Sequence, residues 1–264
     1  GPPKLIDFRT GGPRHWPAPI VTRGQRAGGP GPYVVDRITT PFPGVYEGSP
    51  RGGDWKDNPF KRRIMIAGFD FFPGGKRAAL STWEGDVWIV DGIDGDLDEL
   101  TWHRFASGLF EPLGLVVVGG VVHTSGRDQI TRLHDLNGDG EADYYENFNN
   151  QSTNSQGFHE FQFDLHTDAK GNFYTAKAAP VRAGGRGFGG GGGNGELTPF
   201  AGTIQRISPD SKRREVYATG LRAPNGIGVS ADGQVTAADN EGTWVPASPI
   251  HWVRPGAFLG VPDT

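Results

Sequence analysis

From residue 67 onward, apolar and polar positions alternate in short runs broken by turns rich in glycine, aspartate and asparagine. A period of two is what a strand with one buried face requires, so the pattern predicts strands rather than helices. The runs come in sets of four. The first set reads AGFDFF (67–72), AALSTW (78–83), DVWIVDGI (86–93) and LTWHRFASGL (100–109). The second reads LGLVVV (113–118), VVHTSG (121–126), QITRLHDL (129–136) and ADYYENF (142–148). The third reads EFQFDL (160–165), NFYTAKA (172–178), GTIQRIS (202–208) and REVYATGL (214–221). A fourth set opens with NGIGVS (225–230) and QVTAADN (234–240) and ends raggedly through HWV.

First strands start about 46 residues apart, the third interval being longer by about the size of a glycine-rich insertion at 181–199. That period and order are those of a four-stranded propeller blade, so the expected fold is all-β, a β-propeller with about four recognisable blades over 33–264. A tandem β-sandwich is the alternative. Residues 1–32, rich in Pro, Gly and Arg without periodicity, are expected to form an irregular arm.

Composition supports short strands and tight turns, with 43 glycines and 21 prolines in 264 residues. The net charge of −4 is mild and mixed in sign, which argues against a nucleic-acid partner. With no cysteine, disulfides, thiolate metal sites, a Cys nucleophile and covalent haem attachment are excluded. No apolar run approaches the roughly 18 residues of a membrane span, so no membrane insertion is expected of this segment.

Residues 134–146, HDLNGDGEADYYE, fit a calcium loop of the form Asp-x-Asn-x-Asp-Gly with Glu at the twelfth position. The expected ligands are Asp135, Asn137, Asp139, Asp143 and Glu146 with the carbonyl of Glu141. The flanks alternate like strands, so this is a loop between the third and fourth strands of a blade rather than part of a helical sensor. A metal-free Asp/Asn/Gly turn is the alternative. Asp94, Asp96 and Asp98 form an incomplete version of the pattern and read as a solvated turn.

Each turn reverses the chain, so loops before the first strand and after the second gather on one face of a blade. His159 and Glu160 stand there at the start of the third set, and a histidine so placed can act as a general base. Arg222 and Asn225, in GLRAPNG, hold the corresponding position in the fourth set and suit an anionic or polyhydroxylated ligand. Trp83 and Glu84, Arg127 and Asp128, and Asn240, Glu241 and Trp244 belong to the same face, and of these Trp83, Glu84, Arg127, Asn240, Glu241 and Trp244, together with Glu160, are candidate substrate residues. Each residue also has a structural reading, as a histidine bonded to a carbonyl, an arginine paired with an acid, or an aromatic cap on a blade. The tract RAGGRGFGGGGGNG (182–195) lacks the Lys and Ser/Thr of a phosphate loop and reads as a flexible spacer.

The stretches GLFEPLGL, FHEFQFDLHTDAKGNFYTA and GLRAPNGIGVSADGQVTAADNEG resemble blade starts of the glucose/sorbosone dehydrogenase group. More closely, GFDFFPGG, TWEGDVWIVDGIDGDLDEL, GRDQITRLHDLNGDGEADYYENFNN and TWVPASPI resemble the N-terminal propeller of putative membrane-bound dehydrogenases of planctomycete and verrucomicrobial bacteria. The resemblance implies a secreted, periplasmic or extracellular bacterial six-bladed propeller, often fused to a cytochrome c domain as electron acceptor. It implies oxidation of a carbohydrate or polyol with pyrroloquinoline quinone and calcium. It places His159 at the catalytic base and Arg222 at a quinone-contacting arginine. Ala223 and Asn225 depart from the Asn and Gln common there, and the chain ends where the family's later blades begin. A non-catalytic, calcium-stabilised propeller that binds glycan or a partner domain is the rival reading.

Overall fold

The computed structural model describes residues 9–16, 18–41, 64–154, 160–179, 198–241 and 247–261. Apart from β1 and β17, its strands follow the alternating runs one for one. β2 (Ile66–Phe71), β3 (Arg77–Thr82), β4 (Val87–Asp91) and β5 (Leu100–Ala106) form the first antiparallel set. β6 (Gly114–Val118), β7 (Val121–Ser125), β8 (Ile130–His134) and β9 (Tyr144–Asn149) form the second. β10 (Gln162–Thr167), β11 (Phe173–Lys177), β12 (Thr203–Ile207) and β13 (Arg214–Thr219) form the third, and β14 (Ile227–Val229), β15 (Val235–Ala238) and β16 (Ile250–Val253) a three-stranded fourth. Two further short strands add to edges. β1 (Ile20–Thr22), inside the N-terminal arm, pairs with β5, and β17 (Ala257–Phe258) runs parallel to β13.

The chain divides into two compact units. Unit 1 is Gly1–Pro112, Val117–His123 and Arg132–Glu146, and unit 2 is Leu113–Val116, Thr124–Thr131 and Asn147–Thr264. In unit 1, Trp88, Val90, Leu97, Leu100 and Trp102 form a buried cluster against which Ile20 packs. The indole nitrogen of Trp102 donates to the Thr22 hydroxyl at 2.9 Å, which fastens β1 to the sheet. In unit 2 the cluster comprises Tyr174, Ile204, Tyr217, Leu221, Ile227, Val235 and Val253 among others.

One device recurs in both units. Asp70, on the first strand of the first set, accepts from the Val117 amide at 2.8 Å, and Asp164, on the first strand of the third set, accepts from the Ile227 amide at 2.6 Å. Each carboxylate thus ties the innermost strand of one sheet to that of the next, where sheet-to-sheet packing leaves backbone donors without ladder partners. Asp164 sits at a register shift of β10 with φ of 53°, a backbone state an Asp tolerates better than most residues. At the β6–β7 turn, Gly119 and Gly120 take φ of 59° and 83°, as a two-residue hairpin requires at both positions.

Candidate functional site

In unit 2, the antiparallel pairing of Gln162 with Lys177 sets the end of β11 beside the residues that lead into β10. Lys177 Nζ and Glu160 Oε1 lie 2.9 Å apart, and both side chains are wholly buried. Lys177 also donates to Ser152 Oγ at 3.4 Å, to Thr198 Oγ1 at 3.2 Å and to the Thr153 carbonyl, while the Thr198 hydroxyl donates to Glu160. Burial pulls the Lys177 pKa down, and the bond to Glu160 opposes that shift. The backbone of Glu160 is fixed as well, its carbonyl accepting from Arg127 Nε at 3.3 Å. The Arg127 guanidinium lies 4.6 Å over the Phe161 ring.

Beneath this pair runs a buried polar chain. Arg214 donates to Asn149 Oδ1 (2.8 Å), Gln205 Oε1 (2.6 Å) and Gln162 Oε1 (3.3 Å), and Gln162 Nε2 donates to Ser125 Oγ (2.6 Å). Desolvation lowers the Arg214 pKa to about 10. An interior this polar is stable only when its groups are partnered, so these contacts fix the floor on which Glu160 and Lys177 stand.

Arg222 meets the same region through its main chain. Its carbonyl accepts from the Ala179 amide at 2.9 Å, two residues beyond Lys177. The buried carboxylate of Asp239 accepts from the amides of Arg222 and Ala223 at 2.8 Å each and from Asn240 at 2.9 Å. The Arg222 guanidinium is half-buried and has no side-chain partner among the described residues. Asn225, Asn240 and Glu241 are exposed nearby in sequence. The structure therefore links Glu160, Arg127 and Arg222 within unit 2. Trp83 and Glu84 belong to unit 1, where the Met65 carbonyl accepts from the Trp83 amide at 2.9 Å. His159 and Trp244 lie outside the described residues.

Lys177, Asp239 and Thr198 were not legible as site residues in the sequence. The available signal for Lys177 was a lone cation in an otherwise apolar and small strand, NFYTAKA, where every residue of β11 is buried.

The acidic loop of unit 1 folds as a chain of side-chain-to-amide bonds. Asp135 accepts from Gly138 (2.7 Å), Asp139 (3.2 Å) and Gly140 (2.9 Å), Asn137 from Asp139 (3.0 Å), and Asp139 from Glu141 (3.0 Å). Its other acids turn elsewhere. Glu146 binds His134 Nε2 at 2.7 Å and Arg132 Nη1 at 3.3 Å. Asp143 accepts from Leu136 and Gly12, and Glu141 from the amides of His15 (2.7 Å) and Trp16 (2.6 Å). Among the described residues no three His, Cys, Asp or Glu side chains converge as a metal site. Among the expected ligands, the Asp143 carboxylate is engaged by the N-terminal arm and the Glu146 carboxylate by His134 and Arg132, while the Glu141 side chain holds the arm.

The sheets define the class: an all-β chain whose antiparallel sheets are the blades of a β-propeller. No family model and no curated protein matches the sequence. Among solved structures, the chain is similar to a glucose dehydrogenase (TM-score 0.55, 13% identity, 75% of this chain and 64% of that one). It is also similar to the apo soluble aldose sugar dehydrogenase of Escherichia coli (TM-score 0.53, 12% identity, 75% and 63%). The PQQ-bound aldose sugar dehydrogenase of Streptomyces coelicolor is similar too (TM-score 0.52, 15% identity, 77% and 64%). At these identities the likeness shows the fold alone, and this chain spans less than two thirds of each of those proteins.

Proposed function

We propose that this chain is the propeller, or part of the propeller, of a quinoprotein-type oxidoreductase that oxidises a hydroxyl of a sugar or related polyol. The observation that carries the reading is the rigid polar floor of Glu160 and Lys177 directly after His159 in sequence, coupled through Ala179 to Arg222. A half-buried guanidinium whose main chain is pinned and whose side chain has no partner among the described residues fits a ligand carboxylate, and pyrroloquinoline quinone carries carboxylates. The chemistry supplied by that cofactor when bound is acceptance of hydride from the substrate carbon. Arg222 and the exposed Asn225 orient it, and His159 takes the hydroxyl proton as general base. Glu160, fixed by Lys177 and Thr198, is the next residue after His159 in sequence. The substrate class, a cytochrome c electron acceptor and a periplasmic or extracellular location belong to this same proposal. No helix among the described residues is long and apolar enough to cross a membrane.

Calcium at the loop belongs to the proposal in a rearranged form. Asp135, Asn137, Asp139 and the Glu141 carbonyl keep their turn, while Asp143 and Glu146 exchange Gly12, His134 and Arg132 for the ion. That exchange weakens binding, so a dissociation constant of roughly 0.1–1 mM is expected, at the weak end of oxygen-ligand calcium sites. A thermal-shift titration with calcium measures it, and saturation in the micromolar range would contradict the arrangement described above.

The cofactor reading is tested by calorimetric titration with pyrroloquinoline quinone, calcium present. Saturable binding near one per chain, weakened at least tenfold by Arg222→Ala, is expected, together with dye-coupled sugar oxidation that His159→Ala abolishes. Absence of quinone binding would leave the second reading, a non-catalytic glycan- or partner-binding propeller. One observation favours that second reading: Lys177, the buried cation of the site, is consumed by Glu160 rather than presented to a ligand.

A further inference from the structure

Unit 1 contains a cavity of about 590 Å³, a volume in the ordinary range for small-ligand sites. Its walls come from five pieces of chain: the β2–β3 turn, the adjoining strands β4 and β5, the β6–β7 turn, the acidic loop, and the N-terminal arm. The arm contributes Arg14, delivered there because Glu141 grips the amides of His15 and Trp16 on the next two residues. Trp16 is held in turn by the Arg104 guanidinium, 4.4 Å from its ring. Two residues of the cavity wall carry a buried nitrogen without a hydrogen-bond partner, His103 Nδ1 and Arg14 Nε, the latter 3.7 Å from Glu141 Oε1. Buried polar atoms are rarely left unpaired, so the His103 ring is short of a partner beside this cavity.

The wall chemistry selects what that is. Arg77 Nε and Asp91 Oδ1 lie 3.2 Å apart, and His103 Nε2 stands 4.0 Å from Asp91 Oδ2. Asp135 and Asp139 add two further carboxylates. A small anion would meet three acids, and a cation would meet two guanidiniums. A neutral molecule with adjacent hydroxyls satisfies both signs at once, each hydroxyl accepting from an arginine and donating to a carboxylate. Desolvation lowers the His103 pKa against the opposing charge of Asp91, which favours the neutral ring. Phe72 and Phe105 add apolar wall, with the Arg77 guanidinium 4.8 Å over the Phe72 ring. We propose that this cavity is a carbohydrate-binding site for a mono- or disaccharide, built by Arg14, Arg77, Asp91 and His103. Asp135 and Asp139 also belong to the proposed calcium loop, but the cavity shares no residue with the proposed oxidation site around His159 and Arg222 and does not rest on that reading.

The test is a titration of the ¹⁵N-labelled chain with D-glucose and with maltose, followed by amide shifts without quinone. Expected are saturating shifts at Arg77, Asp91, His103 and Asp139, with a dissociation constant of about 1 mM, corresponding to about −4 kcal/mol. Asp91→Asn, a substitution at a half-exposed position, and His103→Phe should each weaken binding at least tenfold while the remaining spectrum stays folded. The proposal is overturned if neither sugar produces saturating shifts. It is equally overturned if the shifts fall only on residues 160–179 and 222–241, an outcome that would instead favour the oxidation site.

Discussion

Lowering the pH from 7 to 4.5 places a calculable load on His123, a histidine of β7 that is only 2% exposed. Its Nδ1 bonds the Val121 carbonyl at 3.0 Å, and Arg132 Nε donates to its Nε2 at 3.0 Å. Those partners fix the tautomer: Nδ1 carries the proton and Nε2 accepts. Protonating Nε2 would turn that acceptor toward an arginine in a dry site. Burial is the main reason the pKa falls from 6.5 to about 4, the Arg132 charge adding to the shift. Because the folded pKa is below the unfolded one, the unfolded chain binds a proton that the folded chain refuses. This stability is complete above about pH 6.5 and is lost as the pH falls toward 4. At pH 4.5 the unfolded imidazole is charged and the folded one largely neutral, a difference of about two pK units, or about 2.5 kcal/mol at about 1.4 kcal/mol each. For a chain of this size that is a fall in Tm of roughly 5–10 °C. Urea unfolding at pH 7, 6, 5 and 4.5 reads it directly. His123→Gln removes the titration but not the other acid-sensitive groups, so its plot of stability against pH should be flatter by about one proton between pH 6.5 and 4.5. Equal slopes in the two proteins would refute the reasoning.

Three further outcomes are expected. Lys177→Met strands a buried Glu160 carboxylate, and breaking one side of such a pair costs about 3–5 kcal/mol; the double variant Lys177→Met with Glu160→Leu should recover most of that, and a purely additive cycle in chemical denaturation would contradict the coupling. Asp164→Ala leaves the Ile227 amide without its acceptor and should destabilise by about 1–3 kcal/mol, whereas Asp164→Asn, which keeps an acceptor oxygen, should lose clearly less. Glu141→Ala frees the amides of His15 and Trp16, so hydrogen exchange at those two positions should rise at least tenfold while exchange in β4 stays unchanged; unaltered protection of the arm would show that the acidic loop does not hold it.

The strand order of this chain was legible in its sequence because each strand carries its own evidence. A continuous apolar run such as VWIV or an alternating one such as TIQRI reads as a strand from its own residues, and paired glycines such as Gly119 and Gly120 favour a two-residue reversal. Blade repetition then followed from the roughly 46-residue spacing. What escaped the sequence depends on partners distant along the chain. β1 was hidden because three residues in a Pro/Gly/Arg-rich arm have no period; only pairing with Leu100, Thr101 and Trp102 makes them a strand. The acidic loop gave its ligand spacing correctly, yet spacing cannot say whether Asp143 and Glu141 turn toward a cation or toward amides more than 120 residues away. Lys177 read as an ordinary strand residue until the fold set Glu160 against its ammonium with both side chains wholly buried. Periodicity is a local property of the chain, so the sequence determined the all-β elements. Charge pairing, burial and cavities are properties of juxtaposition, so only the tertiary structure decided which polar groups meet.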